Sequence, residues 1–382
     1  MKALASLLPL GNSAVLLQHS HAAKTRLLQE WLTEQTICVV GGGALGNEVL
    51  KNLGLLGARQ VVVVDPDKVE ISNISRSVFF RASDCGRPKA ATLCVSLTSA
   101  FPGTQWRSCD SEIADVGYGE LDSASVVFTC VDSDLARVEA AWLAMCLDIP
   151  MVDAGLGGPD SWQGRVSVFP GRQSACFGCK LSPRRRRDLL SLALSTSHSC
   201  WQNGEATRSS STPTMASLIG ALQVEFGLQC LAEFGSHTTN DLQSPTIEVS
   251  LGLTPSLRRF VTPVSQVCPF HDAAPQQCVP LPYSQATARE LLGSQGGDKV
   301  DLDWPICVAA CCLDCRSEWH PMRRVAWLRR HGSCPHCGNR RILEKETVCT
   351  LDRNSILADV PLVELGLPPN HLYAIRRKGE RQ

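Results

Sequence analysis

The feature that most constrains the fold is the stretch from Thr36 to Asp65, which reads TICVVGGGALGNEVLKNLGLLGARQVVVVD. It begins with an apolar run, residues 37–40, and ends with a second, residues 61–64; both have the length and the β-branched content of buried strands. Between them apolar residues recur at helical intervals. Three glycines at G-x-G-x-x-G spacing open this helical part: Gly41, Gly43 and Gly46. The order strand, glycine turn, helix and strand predicts a nucleotide-binding βαβ unit.

Each part of this unit has a physical role in holding a nucleotide. The glycines permit a tight turn and a close approach of phosphate to the backbone, and the helix N-terminus offers free N–H groups and the positive end of its dipole. Asp65 follows Gly46 by 19 residues, which is the usual position of a carboxylate that accepts hydrogen bonds from ribose hydroxyls. The motif by itself leaves open which nucleotide is bound and for what reaction.

Composition excludes several classes of protein. The 382 residues carry a formal net charge of zero, which argues against a dedicated nucleic-acid binder. Nineteen cysteines in a chain of this length indicate a reducing compartment with metal sites or a reactive thiol, rather than a disulfide framework. The sequence contains no apolar run of the roughly 18 residues that a membrane span requires, so we expect no membrane segment and a cytoplasmic location.

Strand patterns alternate with helix patterns after Asp65, which predicts an α/β fold with a Rossmann-like, doubly wound and mostly parallel sheet. We expect the nucleotide-binding domain to span residues 1–272, with an exposed polar loop at about 182–213. Residues 273–300, rich in Pro, Gln and Gly, are the expected linker. We expect residues 301–382 to form a separate Cys-, His- and Arg-rich module, a zinc ribbon with a C-terminal segment that recruits the partner protein.

Three further motifs follow the glycine turn: D-P-D-K-V-E-I-S-N-I-S-R from Asp65, then G-R-P-K-A, then C-V-D-S-D. They supply Asn73, Arg76 and Lys89, an amide and two cations suited to the oxygens of a triphosphate. In this order the motifs resemble those of the adenylating enzymes that include MoeB, ThiF, HesA and the ubiquitin-activating enzymes. The resemblance covers roughly residues 36–267.

The resemblance implies an enzyme that uses ATP to activate the C-terminal carboxylate of a ubiquitin-like protein as an acyl-adenylate, with release of pyrophosphate. It implies that the glycines and Asp65 hold the nucleotide, that Asp132 positions Mg²⁺, and that Arg76, Lys89 and Asp132 serve catalysis by alignment and charge neutralisation. The expected cofactor-binding set is Gly41, Gly43, Gly46, Asp65, Asp67, Asn73, Arg76, Lys89 and Asp132.

The sequence departs from the family pattern in two places. Ser133 follows the metal-binding Asp132 where many relatives have Asn. In addition, no N-terminal motif supplies the arginine that relatives extend into the site of a partner subunit, and Arg26 is the nearest candidate. We expect a homodimer, and the source of this cation stays open.

Two groups of cysteines have the spacing of metal ligands. The first combines Cys176-x₂-Cys179 with Cys268-x₂-His271, a set of three sulfurs and one nitrogen that suits tetrahedral zinc. Relatives carry two C-x₂-C pairs at these places. The second is a zinc-ribbon pattern in the C-terminal module, for which Cys307 and Cys311 are alternative ligands to the first member: Cys312, Cys315, Cys334 and Cys337. We therefore expect two structural Zn²⁺ sites.

Cys200 lies in a polar stretch, Ser197-His198-Ser199-Cys200-Trp201, and outside any C-x₂-C pair. In the thioester-forming branch of the family a catalytic cysteine resembling it precedes an apolar helix such as residues 214–234. A thiolate on a polar loop can attack the acyl-adenylate and carry the ubiquitin-like protein as a thioester. The resemblance thus implies Cys200 as the acyl carrier, and a conjugating enzyme as the recipient.

Two basic segments invite a functional interpretation. Residues 184–187 are four consecutive arginines, and the C-terminal module contains three Arg pairs, at 323–324, 329–330 and 340–341. A solvated basic surface is the favoured interpretation of both. The alternative for residues 184–187 is a docking surface for the acidic patch of a protein partner, and the alternative for the C-terminal module is a docking surface for an acidic protein or for nucleic acid.

The leading hypothesis is an activating enzyme for a ubiquitin-like protein with a glycine-containing C-terminal tail. The first alternative is a sulfur-carrier adenylyltransferase, similar to MoeB and ThiF, that forms no thioester. The second is a zinc-ribbon nucleic-acid-binding protein with a degenerate nucleotide fold. The intact set of nucleotide-binding residues argues against it: Asp65, Arg76, Lys89 and Asp132. A bacterial conjugation system with a role in antiviral defence is a hypothesis about the setting only.

Overall fold

The computed structural model of the chain describes residue 32 and residues 34–121, 123–157, 162–194, 212–234, 244–252, 254–272, 279–280, 286–355, 357–368 and 372–376. These residues divide into two compact units. Unit 1 draws on Met1–Ala114, Ser123–Lys180 and Glu205–Asp272, and unit 2 on Asp115–Asp122, Leu181–Gly204 and Ala273–Gln382. The domain bounds inferred from composition remain predictions.

An eight-stranded sheet with the order β3-β2-β1-β4-β5-β6-β7-β8 forms the centre of unit 1. Its first five strands in this order pair in parallel, and the pairs β5–β6, β6–β7 and β7–β8 are antiparallel. This arrangement confirms the predicted α/β fold with a mostly parallel sheet. The strands are β1 (Thr36–Val40), β2 (Gln60–Val64), β3 (Gln105–Cys109), β4 (Ala124–Thr129), β5 (Met151–Leu156), β6 (Gln163–Phe169), β7 (Ser244–Ser250) and β8 (Ser256–Thr262).

Helices connect these strands and continue into unit 2. In chain order the helices of the described residues are α1 (Ala44–Leu55), α2 (Ile71–Ile74), α3 (Lys89–Ala100), α4 (Asp134–Leu147), α5 (Phe177–Lys180), α6 (Pro183–Leu194), α7 (Pro213–Phe234), α8 (Pro269–Asp272), α9 (Ala288–Gln295) and α10 (Val325–His331). Single turns of 3₁₀ helix occur at Ala82–Asp84, Ile113–Asp115 and Tyr118–Leu121.

The core of unit 1 forms where the valine-rich strands meet the helices. All five residues of β1 are buried, as expected for a central parallel strand with both faces covered. Helix α7 packs against α1 and against strands β4 to β6, and small residues permit the close contact. A Cβ atom on Gly220 would lie 2.9 Å from the Glu48 side chain, and one on Gly227 would lie 2.3 Å from the Phe128 ring. This packing holds the carboxyl ends of β1 and β4 in fixed positions.

Unit 2 is organised around one long strand, β10 (Lys299–Cys312), which pairs with four others. The second hydrophobic core lies here and includes residues of α9. Helix α6 packs on α10 and β10, and Arg324 forms a 2.6 Å ion pair with Asp115. The other strands are β9 (Val279–Pro280), β11 (Glu318–Trp319), β12 (Arg323–Arg324), β13 (Ile342–Asp352) and β14 (Leu372–Arg376).

Two stretches differ from the sequence-based expectation. The prediction of an exposed loop at about 182–213 was wrong for residues 183–194, which form α6. Pro183 suits a first helical position, and the arginines and leucines that follow are good helix formers. The prediction of a linker at residues 273–300 was also wrong in part, because this stretch contains helix α9. Thr287 and Glu290 form a capping box at the start of that helix.

The helices among the described residues are all too short or too polar to cross a lipid bilayer.

Candidate nucleotide site and metal centres

The candidate nucleotide site lies along one edge of the sheet in unit 1. The glycine turn follows β1, Asp65 follows β2, and Asp132 lies three residues after the end of β4. Because these strands are parallel neighbours, their carboxyl ends meet at one edge, where α/β folds bind ligands. Tertiary structure thus brings together residues that the sequence separates by more than 60 positions.

The glycine turn is packed so closely that two of its positions exclude any side chain. Gly41 has φ of +100°, and its N–H donates to the Val64 carbonyl at 2.8 Å. A Cβ atom on Gly46 would lie 1.9 Å from the Gly41 carbonyl oxygen. Gly43 differs, because a Cβ atom there would meet no atom within 4 Å. The open space at Gly43, at the N-terminus of α1, is where a phosphate can approach the backbone.

Asp65 is held by the backbone rather than by solvent. The residue is 4% exposed; its Oδ2 accepts from the Gly42 N–H at 2.6 Å and its Oδ1 accepts from the Asp67 N–H at 2.8 Å. Burial raises the pKa of Asp65, whereas the charge of Lys89 and the two N–H donors act in the opposite direction. The carboxylate is therefore fixed in orientation beside the glycine turn.

Lys89, the first residue of α3, lies among three carboxylates. Its Nζ is 2.9 Å from Asp67 Oδ2. Burial acts to lower the pKa of Lys89, but the charges of Asp65, Asp67 and Asp132 outweigh burial, so the pKa is raised. The amine is consequently a cation at neutral pH. These four residues, which the sequence analysis predicted separately, form one charged cluster.

Asn73 and Arg76 lie on a short segment after Asp67. Asn73 is buried in α2, and its Oδ1 accepts from the Glu70 N–H at 2.9 Å, so the amide NH₂ is the part of the side chain suited to a ligand oxygen. Arg76 is half-buried, and its backbone N–H donates to the Asn73 carbonyl at 3.2 Å. Both residues therefore occupy the connection between β2 and α3.

Sequence reasoning missed Asn47, a fully buried residue of α1. Its Nδ2 donates to the carbonyls of Gly42 at 2.9 Å and Gly43 at 3.0 Å, and its Oδ1 accepts from the Phe79 N–H at 3.1 Å. Asn47 thereby ties the glycine turn to the segment that carries Arg76. The available signal was a polar residue directly after Gly46, on the side of the helix that packs inward.

The first cysteine cluster lies in unit 1 and is buried. Cys176 Sγ is 3.8 Å from Cys179 Sγ and 3.7 Å from Cys268 Sγ. Ligand sulfurs about 2.3 Å from a zinc ion at the centre of a tetrahedron lie about 3.8 Å apart, so these three positions fit zinc. The three thiols share hydrogen bonds, which lower the pKa of Cys179 and raise the pKa of Cys176, so Cys179 is the first of the pair to become a thiolate. His271 lies on α8, but its side chain is outside the described part of the chain.

The second cluster lies in unit 2 and contains four sulfurs. Cys312 Sγ is 3.6 Å from Cys337 Sγ, and Cys315 Sγ is 3.6 Å from Cys334 Sγ. All four sulfurs lie within 4.8 Å of one another, which matches a Cys₄ zinc site. A residue missed in the sequence, Ser317, places its Oγ 3.1 Å from Cys315 Sγ and 3.2 Å from Cys334 Sγ. Its single O–H can donate to one of these sulfurs while its oxygen faces the other, which helps to orient the pair.

The choice among the spare cysteines is resolved by this geometry. Cys307 bonds to the Ala309 carbonyl and Cys311 to the Cys312 carbonyl, and neither sulfur belongs to the four-sulfur group. Cys312 is the member that joins it. Successive residues of β10 point to opposite faces, so Cys311 and Cys312 cannot both face the cluster.

Several arginines of the arginine-rich segments are paired with carboxylates or buried, so the segments carry less unpaired positive charge than their sequence suggests. In unit 2, Arg329 pairs with Glu344 at 2.9 Å and Arg341 pairs with Asp314 at 2.8 Å. In the four-arginine run of α6, Arg186 is 8% exposed and bonds to the Leu181 carbonyl. Paired and buried arginines leave less unbalanced positive charge for nucleic acid.

Cys200 and its neighbour His198 lie outside the described residues, as does Arg26. Their roles therefore stay predictions.

Fold and site together define the class of protein: an α/β protein with a mostly parallel sheet, a candidate nucleotide site and cysteine clusters suited to zinc. The sequence matches the ThiF family over residues 17–252, more than half of its length, and the chain belongs to this family of adenylating enzymes.

Curated relatives match a shorter stretch. The NEDD8-activating enzyme E1 catalytic subunit of Caenorhabditis elegans is 32% identical over 165 residues, which is 40% of this chain and 38% of the relative. The SUMO-activating enzyme subunit 2 of Dictyostelium discoideum is 31% identical over 149 residues, which is 38% of this chain and 22% of the relative. The chain thus matches less than two fifths of the length of either.

Among solved structures, E. coli MccB is similar with a TM-score of 0.49 and 16% sequence identity, covering 64% of this chain and 67% of the MccB chain.

Proposed function

We propose that this protein uses Mg·ATP to activate the C-terminal carboxylate of a ubiquitin-like protein as an acyl-adenylate. The observation that carries the proposal is the cluster of Asp65, Asp67, Lys89 and Asp132 beside a glycine turn that is open at Gly43. Membership of the ThiF family supports the ATP-dependent chemistry. The relatives named for NEDD8 and SUMO activation support a ubiquitin-like substrate.

The reaction is a displacement at phosphorus, in which a carboxylate oxygen attacks the α-phosphate and pyrophosphate leaves. The chain's own residues align the reactants and offset negative charge. Lys89 is suited to this role because it is cationic and already lies against Asp67, a contact it can exchange for phosphate oxygens. Asp65 is pre-oriented by two backbone N–H groups and can accept from the ribose hydroxyls.

Asp132 is the proposed ligand of the magnesium ion. It is exposed at the sheet edge, and it acts on Lys89 electrostatically, so it faces the same space as the phosphate-binding residues. A carboxylate oxygen is the ligand type that Mg²⁺ prefers. Bound Mg²⁺ would supply charge neutralisation at the triphosphate.

We further propose that the acyl group passes to Cys200. The Cys200 thiolate would attack the acyl carbon, AMP would leave, and a thioester would form for handover to a conjugating enzyme. The support is the family resemblance and the place of Cys200 in the chain, between α6 and α7. Two structural zinc ions, one in each cysteine cluster, complete the proposal.

The test combines two assays on the full chain, with NEDD8, SUMO and ubiquitin as probe substrates. ATP–pyrophosphate exchange reports adenylate formation, and a thiol-sensitive adduct on a non-reducing gel reports the thioester. Lys89→Met should lower exchange by about 10²–10³-fold, the typical cost of removing one charge-stabilising group. Cys200→Ala should retain exchange and lose the adduct. Cys85→Ala is the matched control, since Cys85 is exposed and outside both clusters.

Each outcome bears on a separate part of the proposal. Exchange that is unaffected in Lys89→Met would refute the nucleotide site. An adduct that persists in Cys200→Ala would refute the thioester step and would favour a sulfur-carrier adenylyltransferase. Failure of every probe substrate, together with no detectable binding of ATP, would refute the activity as a whole.

A further inference from the structure

Arg137 is a buried arginine that neither the nucleotide site nor the metal clusters account for. It lies in the first turn of α4 and is 7% exposed. Its Nη2 donates to the Val131 carbonyl at 2.6 Å and lies 3.4 Å from the Ala154 carbonyl. Its Nε is 2.9 Å from Asp153 Oδ1, as an ion pair rather than an aligned hydrogen bond. One guanidinium therefore contacts three separate points near the end of β4.

The Val131 carbonyl is the contact with a consequence for the site, because Val131 directly precedes Asp132. Peptide planarity means that fixing this carbonyl also fixes the N–H of Asp132. On the other side, Ser133 caps α4 by accepting from the Ala136 N–H at 3.4 Å. Asp132 is thus an exposed side chain between two residues whose own contacts hold them in place.

The peptide groups leading to Asp132 are held from both faces of the sheet. On the face that carries α4, Asp153 is fully buried and accepts from Thr129 Oγ1 at 2.8 Å. On the opposite face, Gln223 of α7 donates to the carbonyls of Thr129 at 3.0 Å and Val152 at 2.8 Å. Only Arg137, among these groups, also reaches beyond β4 to Val131.

Two further contacts fix the position of Arg137: its Nη1 lies 3.5 Å from Asp134 Oδ1, and the guanidinium lies against the Phe177 ring. Its Cζ lies 5.8 Å from the centre of the Phe177 ring, which is fully buried and stands between the ligand positions Cys176 and Cys179. A cation over an aromatic face is attracted to the ring quadrupole. The guanidinium is therefore confined between the first cysteine cluster, the buried Asp153 and the loop that carries Asp132.

We propose that Arg137 is a positioning residue for Asp132, orienting that carboxylate to take the metal of Mg·ATP. This inference rests on the proposed function, since it assumes that Asp132 is the magnesium ligand. Partners that orient a metal ligand typically contribute about 10–100-fold to metal affinity. An alternative role is structural, because Arg137 also offsets the buried charge of Asp153.

Arg172 is a matched control for the structural role. It holds the opposite end of the same helix, where its Nε and Nη2 donate to the Met145 carbonyl at 3.0 and 2.9 Å. Its removal should loosen α4 without touching the loop that contains Asp132. Arg137→Lys is the main variant, because it keeps a positive charge beside Asp153 but lacks the fork that also reaches Val131.

The experiment measures ATP affinity of the full chain by calorimetry, once with excess Mg²⁺ and once with a chelator. The ratio of the two affinities is the contribution of the metal. Arg137→Lys should lower this ratio about tenfold, within the range for metal-orienting partners. Arg172→Met should lower the melting temperature and leave the ratio unchanged. In an Asp132→Asn background, Arg137→Lys should cause no further loss, because both changes remove one interaction.

The experiment distinguishes failure of the proposed function from failure of the positioning role of Arg137. If Asp132→Asn leaves the ratio of the two ATP affinities unchanged, Asp132 is not the magnesium ligand, and that part of the proposed function is refuted. A ratio lowered by Asp132→Asn but not by Arg137→Lys would overturn the positioning role alone. Additive losses in the double variant would also overturn it, since Arg137 would then act independently of Asp132.

Discussion

The glycine turn permits a prediction in which two glycines of one motif behave differently. We expect Gly46→Ala to destabilise unit 1, because the added Cβ would lie 1.9 Å from the Gly41 carbonyl oxygen. That oxygen belongs to the backbone, and the Gly41 N–H is itself fixed on Val64, so the turn cannot yield as a side chain would. The contact must be relieved by moving the helix or the turn.

The magnitude follows from two opposing terms. Overpacking of this kind costs typically 1–3 kcal/mol, and the severity of the overlap places it at about 3 kcal/mol. Replacing glycine inside a helix by alanine returns about 1 kcal/mol. The net loss is about 2 kcal/mol, which corresponds to a melting temperature of unit 1 lower by about 4–8 °C, since a unit of roughly 150–250 residues shifts by about 2–4 °C per kcal/mol.

Gly43→Ala is the internal control. Its Cβ would meet no protein atom within 4 Å, and Gly43 already has an extended backbone with φ of −71°. We expect its melting temperature to fall by no more than about 2–4 °C, because glycine is a better N-cap residue than alanine by about 1 kcal/mol or less. ATP affinity should fall, because the methyl group would occupy the space in which phosphate approaches the backbone.

Differential scanning calorimetry gives the melting temperatures, and ATP titration gives the affinities. The reasoning would be refuted if Gly46→Ala and Gly43→Ala had the same melting temperature. It would also be refuted if Gly43→Ala bound ATP as tightly as the parent protein.

Three further predictions concern other parts of the chain. Gln223→Leu removes the side-chain donor from two buried carbonyls and should lower the free energy of unfolding by about 2–4 kcal/mol, measured by urea denaturation. Cys176→Ser and Cys312→Ser should each lower the zinc content by about one ion per chain, measured by plasma mass spectrometry. Iodoacetamide at pH 8 should leave Cys38 unmodified, because burial raises its pKa to about 12, while exposed Cys85 reacts; peptide mass spectrometry measures both.

Each of these has a control and a contrary result. Gln229, exposed on the same helix as Gln223, should tolerate leucine within about 0.5 kcal/mol, and an equal loss at both positions would contradict the burial argument. Cys85→Ser should retain all zinc; unchanged zinc in Cys176→Ser would show that the cluster holds no metal. Modification of Cys38 as fast as Cys85 would show that β1 opens readily.

The parts of the site that sequence reasoning predicted are those encoded locally. Gly41, Gly46 and Asp65 belong to one βαβ unit, in which spacing along the chain determines spacing in space. The four sulfurs of unit 2 were likewise predicted by short-range C-x₂-C spacing.

The residues missed are those whose partners are distant in sequence. Asn47 acts through Phe79, 32 positions away, and Gln223 acts through Thr129, 94 positions away. A pattern within one window contains no information about such partners. Helix α6 was missed for a different reason: its charged sequence was interpreted as part of an exposed loop, although a helix with an exposed arginine face packs here on α10 and β10.

Unit 2 is built from segments that lie far apart in the sequence, and this determines when it can fold during synthesis. Asp115 belongs to this unit, and its ion-pair partner Arg324 follows 209 residues later. At a synthesis rate of about 5–20 residues per second, Asp115 waits roughly 10–40 s for that contact. The strands of unit 1 are complete by then, since β8 ends at Thr262. Unit 2 therefore closes last, and a chain interrupted before Arg324 carries the completed sheet of unit 1 together with Asp115 and helix α6, which lack Arg324 and α10 as packing partners.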